Sequence, residues 1–125
     1  MSRMLRLMQV VLAAMLWLPL ASYSAPPLQG GIEALPIVAA AGLSAEARDT
    51  LRAIKQGGPF PYPRDGAVFN NFERVLPERE RGYYHEYTVI TPGANNRGVH
   101  RIVCGPLPEC FYTADHYQTF IRIQE

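Results

Sequence analysis

Glu86, Arg97, Arg101 and His116 are residues whose types, taken together, could break a phosphodiester. A carboxylate can remove the proton of a ribose 2′-hydroxyl, and a charged imidazole can return one to the departing 5′-oxygen. Two guanidiniums can hold the charge that grows on the phosphoryl oxygens. RNA brings its own nucleophile in that 2′-hydroxyl, so this set of side chains could act without a metal. Arg97 and Arg101 suit the work because a guanidinium presents forked donors matched to phosphate oxygens. Residue types alone leave a second reading open, since a glutamate in a half-buried strand beside arginines is also what a cross-strand ion pair looks like. His85 and His100, without such company, read as surface or packing residues.

A second group lies in VFNNFERVLP, residues 68–77. Guanine offers two adjacent donors, N1–H and its exocyclic amine, which a carboxylate can accept in parallel. Adenine has an acceptor at N1 and would leave the carboxylate unpaired. Glu73 could make the guanine pair, backbone amides of the Asn70–Asn71 turn could serve O6, and Phe69, Phe72 or Tyr117 could stack on the ring. The target of such a site is single-stranded RNA, whose bases can be splayed out of the stack. The same motif also reads as a polar turn with a phenylalanine plugged inward, and spacing does not choose between the two.

Both groups need elements to position them. Ser44 offers an N-cap, Glu46 puts a negative charge in the first turn, and Gly57 and Gly58 supply a stop, which predicts a helix over 45–56. Ala47, Leu51 and Ile54 form its inward stripe; Arg48, Arg52 and Lys55 face out. Beyond GGPFPYPRDG the runs AVFNNFERVL, GYYHEYTVIT, GVHRIVCG and CFYTADHYQTFIRI are rich in Val, Ile, Thr, Tyr and Phe between turn residues, and read as antiparallel strands. One helix followed by strands predicts an α+β domain, with the N-terminal helix packed on a twisted antiparallel β-sheet. Alternation along GYYHEYTVIT puts Tyr84, Glu86 and Thr88 on one face and His85 and Tyr87 on the other. A helix can bury one face, leaving the second to line a cleft in which Glu86 and Arg101 could meet.

The chain opens with a basic head at Arg3 and Arg6, an uncharged run from Leu7 to Ala21, and small residues before Pro26 and Pro27. That order predicts a secretory signal peptide over 1–24, and hence export to the periplasm or the medium. Residues 25–42, mixing Pro, Gly and small apolar side chains, are expected to form a flexible N-terminal arm before a folded domain over 43–125. Without Arg3 and Arg6, ten basic residues face eleven acidic ones, so any grip on phosphate must come from local placement of arginines rather than from a basic surface. Export would deliver Cys104 and Cys110 to an oxidising compartment, where a disulfide is expected. Neither has the neighbours of a zinc site.

GPFPYPRDGAVFNNFERVLP, GYYHEYTVITPGANNRG and YTADHYQTF closely resemble secreted microbial guanyl-specific ribonucleases of the barnase and RNase Sa type, over nearly the whole stretch from Leu43 to Ile123. The resemblance implies the microbial ribonuclease fold, no cofactor, and cleavage of single-stranded RNA 3′ to guanosine through a 2′,3′-cyclic phosphate that water then opens. By position it puts the general base on Glu86, the general acid on His116 and the phosphate-binding arginines on Arg97 and Arg101. The guanine carboxylate falls on Glu73, the base loop on Phe69, Asn70 and Asn71, with Tyr117 beside the acid. It also implies a monomer free of the membrane after processing, and a small acidic inhibitor inside the producing cell. Phe72 departs from the family, whose members usually place an arginine over the guanine, and Asn95 and His100 stand where close relatives can be basic. The alternative function on the same fold is a catalytically inactive secreted module that binds a nucleotide or a protein.

Overall fold

The computed structural model describes residues 35–106 and 109–125, so the signal peptide expected over 1–24 and the first part of the arm lie outside the described residues. The helix, α1, spans Ala45–Gln56, as its boundary signals require. The Ser44 hydroxyl accepts the Ala47 N–H at 3.1 Å, Glu46 sits in the first turn, and Gly57 closes the helix at φ 83°. A left-handed closing residue carries no Cβ penalty when it is glycine. It also turns the Gly57 N–H onto the Ile54 carbonyl and the Gly58 N–H onto that of Ala53.

The strands are β1 (Ile37–Ala39), β2 (Ala67–Phe69), β3 (Tyr84–Thr88), β4 (Arg101–Cys104), β5 (Cys110–Thr113) and β6 (Ile121–Gln124), in the spatial order β1-β6-β5-β4-β3-β2. Every pairing is antiparallel except β1 with β6, which is parallel and makes the sheet mixed. Part of the arm expected over 25–42 is therefore built into the sheet. Ile37, Val38 and Ala39 pair with Arg122, Ile123 and Gln124, and a 3-10 turn over Ala40–Gly42 leads to buried Leu43. The small apolar residues of LPIVAAAG, part of the mix that suggested a tether, are also what let Val38 and Ala40 pack against the core. The run AVFNNFERVL forms a strand only as far as Phe69, because Asn71 turns the chain with φ 54°.

The two faces of the sheet carry different cores. Ala47 and Leu51 of α1 pack with Leu43, Val89, Ile102, Ile123 and the cysteine pair. Tyr84, Val103, Phe111, Phe120 and Leu76 cluster on the opposite face. Full burial of side chains such as Ile102 and Phe111 contributes about 1.5–3 kcal/mol each. Cys104 and Cys110 sit directly opposite each other in the β4–β5 register and are joined by a disulfide. Register then composes the open face in rows. Thr88, Arg101 and Thr113 stand abreast, with Glu86, Val103 and Phe111 in the next row. The central strand β4, buried along its whole length, thus delivers an arginine to the floor of the open face.

Candidate active site

Glu86 lies on that floor, 6% exposed. Its Oε1 accepts the Tyr117 hydroxyl at 2.8 Å and stands 3.5 Å from Arg97 Nη2. The Tyr117 oxygen in turn accepts Arg101 Nε–H at 3.1 Å. Glu86 and Arg101 therefore meet through a tyrosine hydroxyl, while the ion-pair partner of Glu86 is Arg97. Burial, then the hydrogen bond to Glu86, pushes the Tyr117 hydroxyl up to about 12, so it stays protonated and keeps donating.

Arg101 is almost fully buried, and its Nη1 donates to the His100 carbonyl at 2.8 Å. Arg97 is held by its stem end: Nε donates to Thr88 Oγ1 at 3.0 Å, while Nη2 is 3.9 Å from Asp65 Oδ1 and makes no hydrogen bond. That Nη2 is itself buried between two carboxylates, so it is the exposed part of the Arg97 side chain, 27% accessible, that can meet an incoming anion. Asp65 fixes this end of the site. Its fully buried carboxylate accepts the Thr88 N–H and hydroxyl, both at 2.7 Å, and the Tyr62 N–H at 3.0 Å. Sequence reading missed Asp65 because Asp-Gly looks like turn punctuation. The one available signal was an acidic residue shortly ahead of a strand bearing Glu86 and Thr88.

His116 is exposed, in the turn after β5, and its ring lies 4.8 Å from that of Tyr117. It adopts φ 58° and Tyr117 φ 75°, with the His116 N–H bonded to the Val99 carbonyl at 3.2 Å. A solvent-facing imidazole and a buried carboxylate thus flank a single tyrosine ring. One guanidinium adjoins the carboxylate, and a second reaches it through the tyrosine hydroxyl. That is a combination able to move a proton off one oxygen and onto another while neutralising charge between them. His85 and His100 have other duties, with Nδ1 bonded to the Gly66 carbonyl at 2.8 Å and to the Tyr112 hydroxyl at 2.6 Å.

The turn after β2 approaches the same centre through Phe69, which stacks on Tyr117 at 5.2 Å. Phe69, Asn70, Asn71 and Phe72 line a cleft of about 400 Å³ whose far wall is the 78–82 loop. Glu86 and His116 do not line it. The Asn71 amide donates to the Leu76 carbonyl at 2.9 Å and accepts the Leu76 N–H at 3.1 Å. Its side chain is spent on closing the turn, and only its backbone remains for a ligand. Phe72, 84% exposed, and Glu73, also exposed, project from that clamped turn. Glu73 is on the same turn as the aromatic residues but outside the lining of the cleft.

A family model described as ribonuclease matches residues 32–124. Guanyl-specific ribonuclease Sa of Kitasatospora aureofaciens is 55% identical over 89 residues, covering 70% of this chain and 93% of that protein. Guanyl-specific ribonuclease Sa3 of the same organism is 52% identical over 93 residues, covering 74% of this chain and 66% of its own length. Among solved structures, ribonuclease Sa2 with guanosine-2′-cyclophosphate superimposes with a TM-score of 0.70 at 48% identity, covering 73% of this chain and 97% of that one.

Proposed function

The chain belongs to the ribonuclease family, and from that premise we propose that it is a guanyl-specific endoribonuclease acting on single-stranded RNA. It cleaves 3′ to guanosine by transesterification to a 2′,3′-cyclic phosphate, which is then hydrolysed. The guanosine cyclophosphate bound by the related Sa2 structure supports that intermediate. The observation that carries the residue assignments is the position of Tyr117, whose hydroxyl holds Glu86 while its ring lies beside His116.

In the first step Glu86 takes the 2′-hydroxyl proton, the 2′-oxygen attacks phosphorus, and His116 protonates the departing 5′-oxygen. Arg97 and Arg101 balance the charge on the phosphoryl oxygens, Arg97 through the exposed part of its guanidinium. In the second step the roles reverse. His116 draws a proton from a water whose oxygen attacks phosphorus, the bond from phosphorus to the 2′-oxygen breaks, and Glu86 returns its own proton to that oxygen. Glu73 accepts guanine N1–H and the exocyclic amine, with Asn70 and Asn71 serving O6 through backbone amides. Phe69 stacks on the base, and Phe72, Tyr117 or both extend the aromatic surface. On the same reading residues 1–24 are a signal peptide, and the exported domain, in which β1 joins residues 43–125, is a monomer that leaves the membrane. Its producing cell holds a small acidic inhibitor.

Mass spectrometry of products from a defined RNA tests this. Wild type is expected to release fragments ending in guanosine cyclic phosphate, later converted to the 3′-phosphate. Glu86→Gln and His116→Ala should each slow cleavage by about 10²–10⁴-fold. Cuts spread evenly over all four bases, or variants that keep the wild-type rate, contradict the assignment.

A further inference from the structure

His116 and Tyr117 both have positive φ, and neither is glycine. A residue with a Cβ is disfavoured there, and two in succession persist only where the surroundings over-determine them. Those surroundings are a knot of three side chains. Thr113, buried at the end of β5, accepts the Tyr117 N–H at 3.1 Å and donates its hydroxyl to Asp115 Oδ1 at 2.9 Å. Asp115 then reaches forward across the turn. Its Oδ1 accepts the Thr119 N–H at 2.9 Å and its Oδ2 accepts the Thr119 hydroxyl at 2.6 Å. The Thr119 hydroxyl first, and then the Thr119 N–H, hold the Asp115 carboxyl at about 2, so it remains an ionised acceptor throughout any working pH range.

We propose that Asp115 is a positioning residue of the cleavage reaction. By tying Thr113 to Thr119, its carboxylate fixes the left-handed His116–Tyr117 backbone and so sets where the imidazole stands relative to Glu86. The inference rests on the assignment of His116 as the acid. Asp115 acts through its neighbours, and the base-recognition turn, closed separately by Asn71 on Leu76, meets it only by way of the Tyr117 ring stacked on Phe69. Turnover should therefore need Asp115 far more than nucleotide binding does, since displacing a reacting group by about 1 Å can cost on the order of 10²-fold.

The test compares wild type with Asp115→Ala and Asp115→Asn, on a guanylyl dinucleotide substrate and with guanosine 3′-phosphate as ligand. Assays run well below each variant's own unfolding temperature, so that lost fold does not enter. Alanine is expected to lower kcat on the order of 10–100-fold, to change KM and ligand affinity by less than about threefold, and to speed amide exchange at Tyr117. Asparagine keeps an oxygen that can accept the Thr119 N–H, and should hold kcat within about threefold of wild type. An Asp115→Ala kcat within about twofold of wild type, or a loss seen in ligand affinity rather than in kcat, overturns the proposal. Cleavage that survives His116→Ala overturns instead the acid assignment beneath it.

Discussion

At the scale of single residues, Tyr117 joins more of the site than any property of its side chain announces. Its hydroxyl donates to Glu86 and accepts from Arg101, and its ring stacks on Phe69 and adjoins His116. Tyr117→Phe keeps the ring and removes both hydrogen bonds, leaving Glu86 buried without its best donor. Loss of a hydrogen bond to a buried charged group costs about 1.5–3 kcal/mol, which denaturant unfolding would read. Cleavage should slow by roughly tenfold while guanosine 3′-phosphate binding, which keeps the ring, both arginines and the base-recognition turn, changes less. Equal kcat in wild type and Tyr117→Phe would show that Glu86 is oriented by Arg97 alone. The types of Glu86, Arg97, Arg101 and His116 marked a candidate set but left a cross-strand ion pair open, and the family resemblance was what favoured cleavage. Asp65 was missed, since a carboxylate that holds Tyr62, Thr88 and Arg97 looks like any turn aspartate until the chain folds over it.

At the scale of elements, the helix was legible almost to the residue, because caps and the apolar stripe are local signals that a single chain segment carries by itself. The strands were harder. β2 is only three residues long, and β1 exists through its pairing with β6, a partner at the opposite end of the domain. The β4–β5 hairpin is held by the Cys104–Cys110 disulfide across a sequence separation of 6. So short a loop restrains the unfolded chain modestly, by about 2 kcal/mol. Replacing both cysteines by alanine should lower the unfolding free energy by about 2 kcal/mol and leave guanine preference unchanged, because neither sulfur faces the Glu86 side of the sheet. A shift in base preference on reduction would mean that the hairpin also shapes the cleft wall.

At the scale of the whole molecule, a thin sheet with a core on each side buries Tyr84 and half-buries Tyr87, Tyr112 and Tyr117. Burial is the leading cause that raises Tyr84, Tyr87, Tyr112 and Tyr117 above the ordinary phenol value. The folded protein then keeps protons that the unfolded chain begins to release near pH ~10. Where the unfolded state binds fewer protons, stability falls as pH rises. Stability is thus expected to be intact below that range and to decline steadily above it, through the value of about 12 for Tyr117. Urea midpoints measured across this window check it, and a flat series contradicts it. The amino-acid order determined by itself the helix, the alternation that sets Glu86 apart from His85, and the residue types that could cut RNA, since each is a property of neighbours along the chain. Tertiary structure alone decided that Arg97 rather than Arg101 pairs with Glu86, that Tyr117 links them, and that part of the N-terminal arm joins the sheet. Those depend on register and on contacts between segments far apart in sequence, which no local pattern encodes.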